Sequence, residues 1–254
     1  MNQESLNMLQ CPDCEGEMMP AEDPRPGMAC RNCDKVFSWS EGYTDFLADK
    51  GLEFTSRREK IIRSLYAKTY TPVNNILFLF CGGAANARNE VLTRLELRDN
   101  SRILETGMGA GENFPWMNGH AKGLEFFGID IQKQMMEHCM RNIKKWGIKA
   151  ELFRADAHCL PFKDNSFDVV FHLGAINLFR DKKKAIDEMI RVSRPKTRIV
   201  IADETDKASK FFNLVTGAND KVVPPLDLIP DSMHDKRIET IWRGYGYVMQ
   251  FKKP

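Results

Sequence analysis

Glu105, Gly107, Gly109 and Gly111 fall within seven residues of one another, in a stretch that reads R-I-L-E-T-G-M-G-A-G-E-N from Arg102 to Asn113. The apolar pair Ile103 and Leu104 predicts a strand, and the alternating glycines predict a loop that opens a helix. Glycine lets such a loop take positive φ and lets a ligand approach the backbone closely. Many nucleotide-binding folds share this arrangement, so the chemistry must come from the neighbouring side chains. A dinucleotide fingerprint needs glycine where Glu112 stands, and the Lys-Ser/Thr ending of a phosphate loop is absent. An acid two residues before the first glycine would repel a pyrophosphate and would favour a ligand carrying an amine and a sulfonium.

The elements that position this loop follow in order. F-F-G-I-D-I (126–131) predicts a second strand ending at Asp130 and Ile131. An acid about 20 residues beyond a glycine loop is placed to accept from both hydroxyls of a ribose. Asp156 and Ala157 follow a third apolar run, where Asp156 could accept from an adenine amino group. F-D-V-V-F-H-L predicts a fourth strand with His172 near its end. Residues 181–192 predict a helix with Ala185, Ile186, Met189 and Ile190 on one face, stopped by S-R-P-K. Residues 198–204 predict a fifth strand. Near the end of the chain, Arg243-Gly244-Tyr245-Gly246 predicts a hairpin turn between two more.

A second chemical signal stands at the N-terminus. Cys11-Pro-Asp-Cys14 and Cys30-Arg-Asn-Cys33 are two C-x2-C knuckles with fifteen residues between them. Two such knuckles present four thiolates in the tetrahedral set that suits structural zinc. The competing readings are unrelated cysteines or two disulfides. A four-thiolate site leaves no open coordination position, so its expected role is to fold a module of about forty residues that cannot bury a sufficient core alone. Cys81, Cys139 and Cys159 lie among apolar residues and read as core thiols.

With these motifs in place, the chain resembles a class I S-adenosylmethionine-dependent methyltransferase of the group that contains ubiquinone- and menaquinone-biosynthesis enzymes. The motifs that carry the resemblance are E-T-G-M-G-A-G, G-I-D-I, A-D-A-H-C-L-P-F-K-D-N-S-F-D-V-V and the helix ending R-V-S-R-P. One departure is visible: the Pro-Gly-Gly usual after that helix reads Pro195-Lys196-Thr197. The resemblance implies an α/β, Rossmann-like, doubly wound sheet of seven mostly parallel strands in the order 3-2-1-4-5-7-6. The expected organisation is a zinc-ribbon module over residues 1–48 and the methyltransferase domain over 49–254. The expected donor contacts are Glu105, Gly107, Gly109, Gly111, Asp130, Ile131, Asp156, Ala157 and His172.

The acceptor side is expected over the end of strand four, with His172 and Asn177 as catalytic candidates. A packed histidine and a turn asparagine are the competing readings. Tyr70, on a predicted helical segment over 56–80, is the third candidate, and an apolar lid over 211–230 would complete the cover. The expected function is in-line methyl transfer to a small, partly apolar molecule. The alternative is a ribosomal RNA base methyltransferase of the guanine-N1 kind, since those also join a zinc site to this fold. A net charge of +2 disfavours nucleic acid as a partner, because no strong cationic field is available to track phosphates. No apolar run reaches the ~20 residues of a membrane span, and a cytoplasmic location is expected. The sequence leaves room for a homodimer.

Overall fold

The computed structural model describes residues 3–21, 26–40, 42–48, 82–174, 176–208 and 222–254. The predicted helical segment with Tyr70, residues 211–221 of the predicted lid, and Cys81 lie outside the described residues.

The N-terminal segment forms α1 (Gln3–Asn7) and the short strands β1 (Met18–Ala21), β2 (Gly27–Cys30), β3 (Val36–Ser40) and β4 (Tyr43–Asp45). After α2 (Ala84–Leu92) the chain alternates β5 (Arg102–Thr106), α3 (Phe114–Met117), β6 (Glu125–Asp130), α4 (Lys133–Trp146), β7 (Ala150–Arg154), β8 (Val169–Leu173), α5 (Lys182–Val192) and β9 (Arg198–Glu204). It closes with the hairpin β10 (His234–Ile241) and β11 (Gly246–Lys252). The seven strands read from the motifs pair as β7-β6-β5-β8-β9-β11-β10, the expected order, with the last hairpin antiparallel.

One expectation is corrected. Among the described residues the sheet has eleven strands and not seven, because the N-terminal module adds β1-β2-β3-β4 to the β7 edge. β4 pairs parallel with β7, Thr44 opposite Phe153 and Asp45 opposite Arg154. Hydropathy alternation reveals that a segment is a strand, but not which open edge it will join. The junction is apolar as well as hydrogen-bonded. Phe37, Phe46, Phe153 and Phe162 pack in succession, with neighbouring ring centroids 4.8, 6.3 and 5.1 Å apart. They belong to the same buried cluster as Cys11, Cys30, Phe127 and Phe167. Aromatic pairs at these separations contribute beyond the area they bury.

The helices follow from their sequences. α5 starts at Asp181, whose side chain accepts from the amide of Lys184, and buries Ala185, Ile186, Met189 and Val192. Its C-terminal carbonyls are met from elsewhere in the chain: Lys253 Nζ donates to the carbonyls of Ile190 at 2.9 Å and Ser193 at 2.7 Å. Such orphan groups require a partner. Past that helix, Lys196 holds φ at 66°, so the turn that usually carries glycine keeps its left-handed backbone without one. Among the described residues, no helix is long and apolar enough to cross a membrane.

Candidate active site and cysteine cluster

β5 delivers Thr106 to a loop in which Gly107, Gly109 and Gly111 have φ of 66°, 56° and 70°. These are left-handed values that a Cβ disfavours. The close fit behind the loop adds a second reason. A Cβ on Gly107 would lie 3.0 Å from His172 Cε1, and one on Gly111 would lie 2.6 Å from Cys139 Sγ.

Asp130, at the end of β6, fastens this loop. Its Oδ2 accepts from the amide of Gly109 at 2.9 Å, and its Oδ1 accepts from the amide of Gln132 at 2.8 Å. Each oxygen of an ionised carboxylate can accept a further hydrogen bond. The end of β7 lies alongside, since the amide of Ala155 donates to the Asp130 carbonyl at 3.2 Å. One residue on, Asp156 Oδ1 accepts from the amide of His158 at 2.9 Å and from its Nδ1 at 2.5 Å. Burial pushes the Asp156 carboxyl upward, but the His158 hydrogen bonds outweigh it and hold it below the usual range. The hydrogen bond to Asp156 correspondingly raises His158. Ala157 packs against the core cluster beside it.

Glu105 is enclosed, with only 1 % of its surface exposed. Its Oε1 accepts from Asn113 Nδ2 at 2.6 Å, while Oε2 has no partner among the described residues. Burial drives its pKa up to about 8, against the opposing pull of the Asn113 hydrogen bond and the Arg88 charge. Arg88 completes the network by donating to Asn113 Oδ1 at 3.1 Å and to Glu112 Oε2 at 2.7 Å. A buried carboxyl with an unpaired oxygen beside a glycine loop is a ready counter-charge for a cation.

The expected catalytic residues sit as follows. His172 is fully buried, because β8 is a central parallel strand covered on both faces. Its Nδ1 donates to the Thr106 carbonyl at 2.6 Å, and its ring meets Phe179 edge-on at 5.0 Å. Burial lowers its pKa to about 4, so the imidazole is neutral at pH 7. In this geometry it supports the glycine loop from behind. Asn177 lies in the turn Ile176–Leu178 after β8. Its amide donates to Asp203 Oδ2 at 2.8 Å and its Nδ2 to the Glu204 carbonyl at 3.1 Å. Tyr70 lies outside the described residues.

Several participants were not read from the sequence. Arg88 is 25 residues from Asn113 and nothing local links them. Gly128 was also not read, although a glycine inside an apolar strand is a signal of close approach. A Cβ there would lie 2.1 Å from Met108 Sδ, in the glycine loop.

The four N-terminal cysteines converge. Cys11, Cys14, Cys30 and Cys33 place their sulfurs within 4.8 Å of one another, and none of them is in a disulfide. Cys11 Sγ and Cys33 Sγ are 3.8 Å apart and Cys14 Sγ and Cys30 Sγ 3.4 Å apart. A tetrahedral zinc with bonds of about 2.3 Å spaces its sulfurs by roughly 3.8 Å, so the donor set fits that ion. The two knuckles share one backbone design. The Cys11 amide donates to the Gly16 carbonyl and the Cys30 amide to the Lys35 carbonyl, both at 2.9 Å. Glu15 and Asp34, four residues after those cysteines, take φ of 60° and 56°.

Residues 103–196 match the family described as "Methyltransferase domain". Those residues, from β5 to the turn after α5, are similar to a methyltransferase domain. A demethylmenaquinone methyltransferase of Thermus thermophilus is 32 % identical over 45 % of this chain and 52 % of its own length. A second, from Lactiplantibacillus plantarum, is 30 % identical over 53 % of this chain and 57 % of its own length. The chain thus spans little more than half of these relatives. A crystal structure of a SAM-dependent methyltransferase from Aquifex aeolicus superposes with a TM-score of 0.56 at 19 % identity, covering 74 % of this chain and 98 % of that one. Phosphoethanolamine N-methyltransferase 2 of Haemonchus contortus superposes with a TM-score of 0.60 at 16 % identity, covering 75 % and 59 %. At these identities the structural likeness shows the fold of the methyltransferase domain.

Proposed function

We propose that the protein transfers a methyl group from S-adenosylmethionine, in line, to a small and partly apolar acceptor. The observation that carries this reading is the junction of Glu105, the glycine loop and Asp130, closed by the Gly109 to Asp130 hydrogen bond. Bound S-adenosylmethionine supplies an electrophilic methyl on a sulfonium. Asp130 would accept the ribose hydroxyls with Ile131 beside it, Asp156 the adenine amino group with Ala157 beside it, and Glu105 would offset the donor's positive charge. Gly107, Gly109 and Gly111 leave the loop backbone open to close approach. The chain's remaining task is to orient two reactants and exclude water, which can supply several kcal/mol of the barrier.

His172 is proposed as a support for that loop, and Asn177, held by Asp203 and Glu204, as a rigid part of the acceptor wall. Leu178, in the same turn, is 69 % exposed and offers an apolar surface at the mouth of β8. Tyr70 remains the proposed third acceptor contact. Residues 1–48 are proposed as a structural zinc module on Cys11, Cys14, Cys30 and Cys33, and residues 49–254 as the methyltransferase domain.

The test offers the protein a labelled donor, with a small-molecule extract and total cellular RNA as competing acceptors. Label is expected in small molecules. Label in RNA, lost steeply as salt is raised, would overturn the reading. In parallel, Asp130→Ala should weaken donor binding at least ~10-fold, the worth of hydrogen bonds to a charged group. Unchanged affinity in a folded variant would remove Asp130 from the ribose site.

A further inference from the structure

The N-terminal module reaches the donor site through one side chain. Asp45, the last residue of β4, is buried at the seam between the module and the methyltransferase domain. Both of its oxygens accept from Arg154 Nη1, at 3.1 and 2.9 Å. The Leu47 amide donates to Asp45 Oδ1 at 2.9 Å, which fixes the carboxylate's rotamer. Arg154, the last residue of β7, then turns its Nε onto the carbonyl of Ile131 at 3.2 Å. Ile131 directly follows Asp130. The guanidinium is planar, so Nη1 and Nε keep a fixed relation and the position of Asp45 dictates where Nε points.

The backbone reinforces this chain of contacts. The Phe46 amide donates to the Arg154 carbonyl at 2.9 Å, and the next amide, that of Ala155, donates to the Asp130 carbonyl. Arg154 at the end of β7 and Ala155 just past it therefore hold the carbonyls of Ile131 and Asp130, and Arg154 is itself held by the module. Both partners of the ion pair are about nine-tenths buried, with side-chain exposures of 11 % and 8 %. A buried charge that loses its partner is costly, so Arg154 would seek another position if β4 withdrew.

We propose that Arg154 is a positioning residue for the donor's ribose site, and that the cysteine module, through Asp45, sets the affinity for the donor. This rests on the reading of Asp130 as the ribose acceptor. Zinc at the four cysteines then acts at a distance: it keeps β4 on the sheet, and β4 keeps Arg154 on Ile131.

The experiment measures binding of S-adenosylhomocysteine and of its 2′,3′-dideoxy analogue to the zinc-loaded protein by calorimetry. Wild type, Arg154→Lys and Asp45→Asn are compared. Lysine keeps the charge but cannot reach Asp45 and Ile131 together. Asparagine keeps a cap for Leu47 but not the ion pair. Both variants should bind the hydroxylated ligand roughly fivefold to tenfold more weakly, a fraction of one charge-assisted hydrogen bond. Binding of the dideoxy analogue should change less than about twofold. Removing zinc with a chelator should give the same hydroxyl-selective loss wherever circular dichroism shows the sheet retained. Equal losses for both ligands would mean general loosening and overturn the proposal, as would no loss for either. A wild type that does not prefer the hydroxylated ligand would remove the Asp130 reading itself, and the proposal with it.

Discussion

Replacing Glu105 by Gln keeps the shape of the side chain and the acceptor for Asn113 Nδ2, and removes the ionisation. In the wild type the carboxyl is fully enclosed, one oxygen lacks a partner among the described residues, and burial raises its pKa from 4.5 to about 8. At pH 7 about nine-tenths of the free protein therefore carries a proton on Glu105. A cationic donor bound alongside favours the carboxylate and should return the pKa toward its usual value. Binding should then release about 0.9 proton per site at pH 7 and close to none at pH 9. Donor affinity should rise nearly tenfold for each pH unit below 8 and level off above it. Calorimetry in two buffers of different ionisation enthalpy reads the proton release directly, and Glu105→Gln should abolish it and flatten the profile. The same group acts on stability. Its folded-state pKa is raised, so the folded protein holds a proton that the unfolded chain gives up. Its contribution is intact below pH 4.5 and is lost between there and about pH 8, at ~1.4 kcal/mol per unit and ~5 kcal/mol in all. The glutamine variant should lose that slope in thermal melts. No proton release in the wild type, or equal release in the variant, would refute the placement of Glu105 beside the donor's charge.

Gly128→Ala should lower stability by roughly 1–3 kcal/mol and weaken donor binding, because its Cβ would lie 2.1 Å from Met108 Sδ. Melting of Gly128→Ala with and without Met108→Ala checks whether space alone is responsible. Lys253→Met should cost about 2 kcal/mol in denaturant unfolding, since the ammonium that caps α5 through Ile190 and Ser193 would be gone. Gly16→Ala should reduce zinc affinity at least ~10-fold in a competition assay with a coloured chelator. Its Cβ would stand 2.6 Å from Asn32 Cβ and 2.7 Å from Cys30 Sγ.

The parallel strands and the glycine loop were legible because their signals are local: apolar runs of fixed length, punctuated by glycine and acid. Asp130 and the four cysteines were legible because spacing along the chain implies convergence in space. His172 shows the boundary of such reasoning. The sequence places it at the end of a strand, but its burial depends on which elements cover both faces of β8. Arg88, Arg154 and Asp203 were not legible, since their partners lie far away in sequence and a charged residue carries no mark of its future burial. The turn at Pro195-Lys196-Thr197 departs from Pro-Gly-Gly in sequence. The structure keeps its left-handed backbone and places a lysine where glycine is at ease.

The parallel pairing of β4 with β7 also bears on how the chain is made. Asp45 and Arg154 are 109 residues apart, so the module leaves the ribosome long before the strand it must join. Until then β4 is an open edge, and so is β7 once β5 to β7 have paired without it. Exposed edges of this kind template association between chains, and distant pairings close late because the loop entropy must first be overcome. A metal-stabilised module that is already folded when β7 emerges would cover that edge at once. Zinc supply during synthesis would then govern how much of the protein is recovered as monomeric product and how much as aggregate, independently of any catalytic turnover.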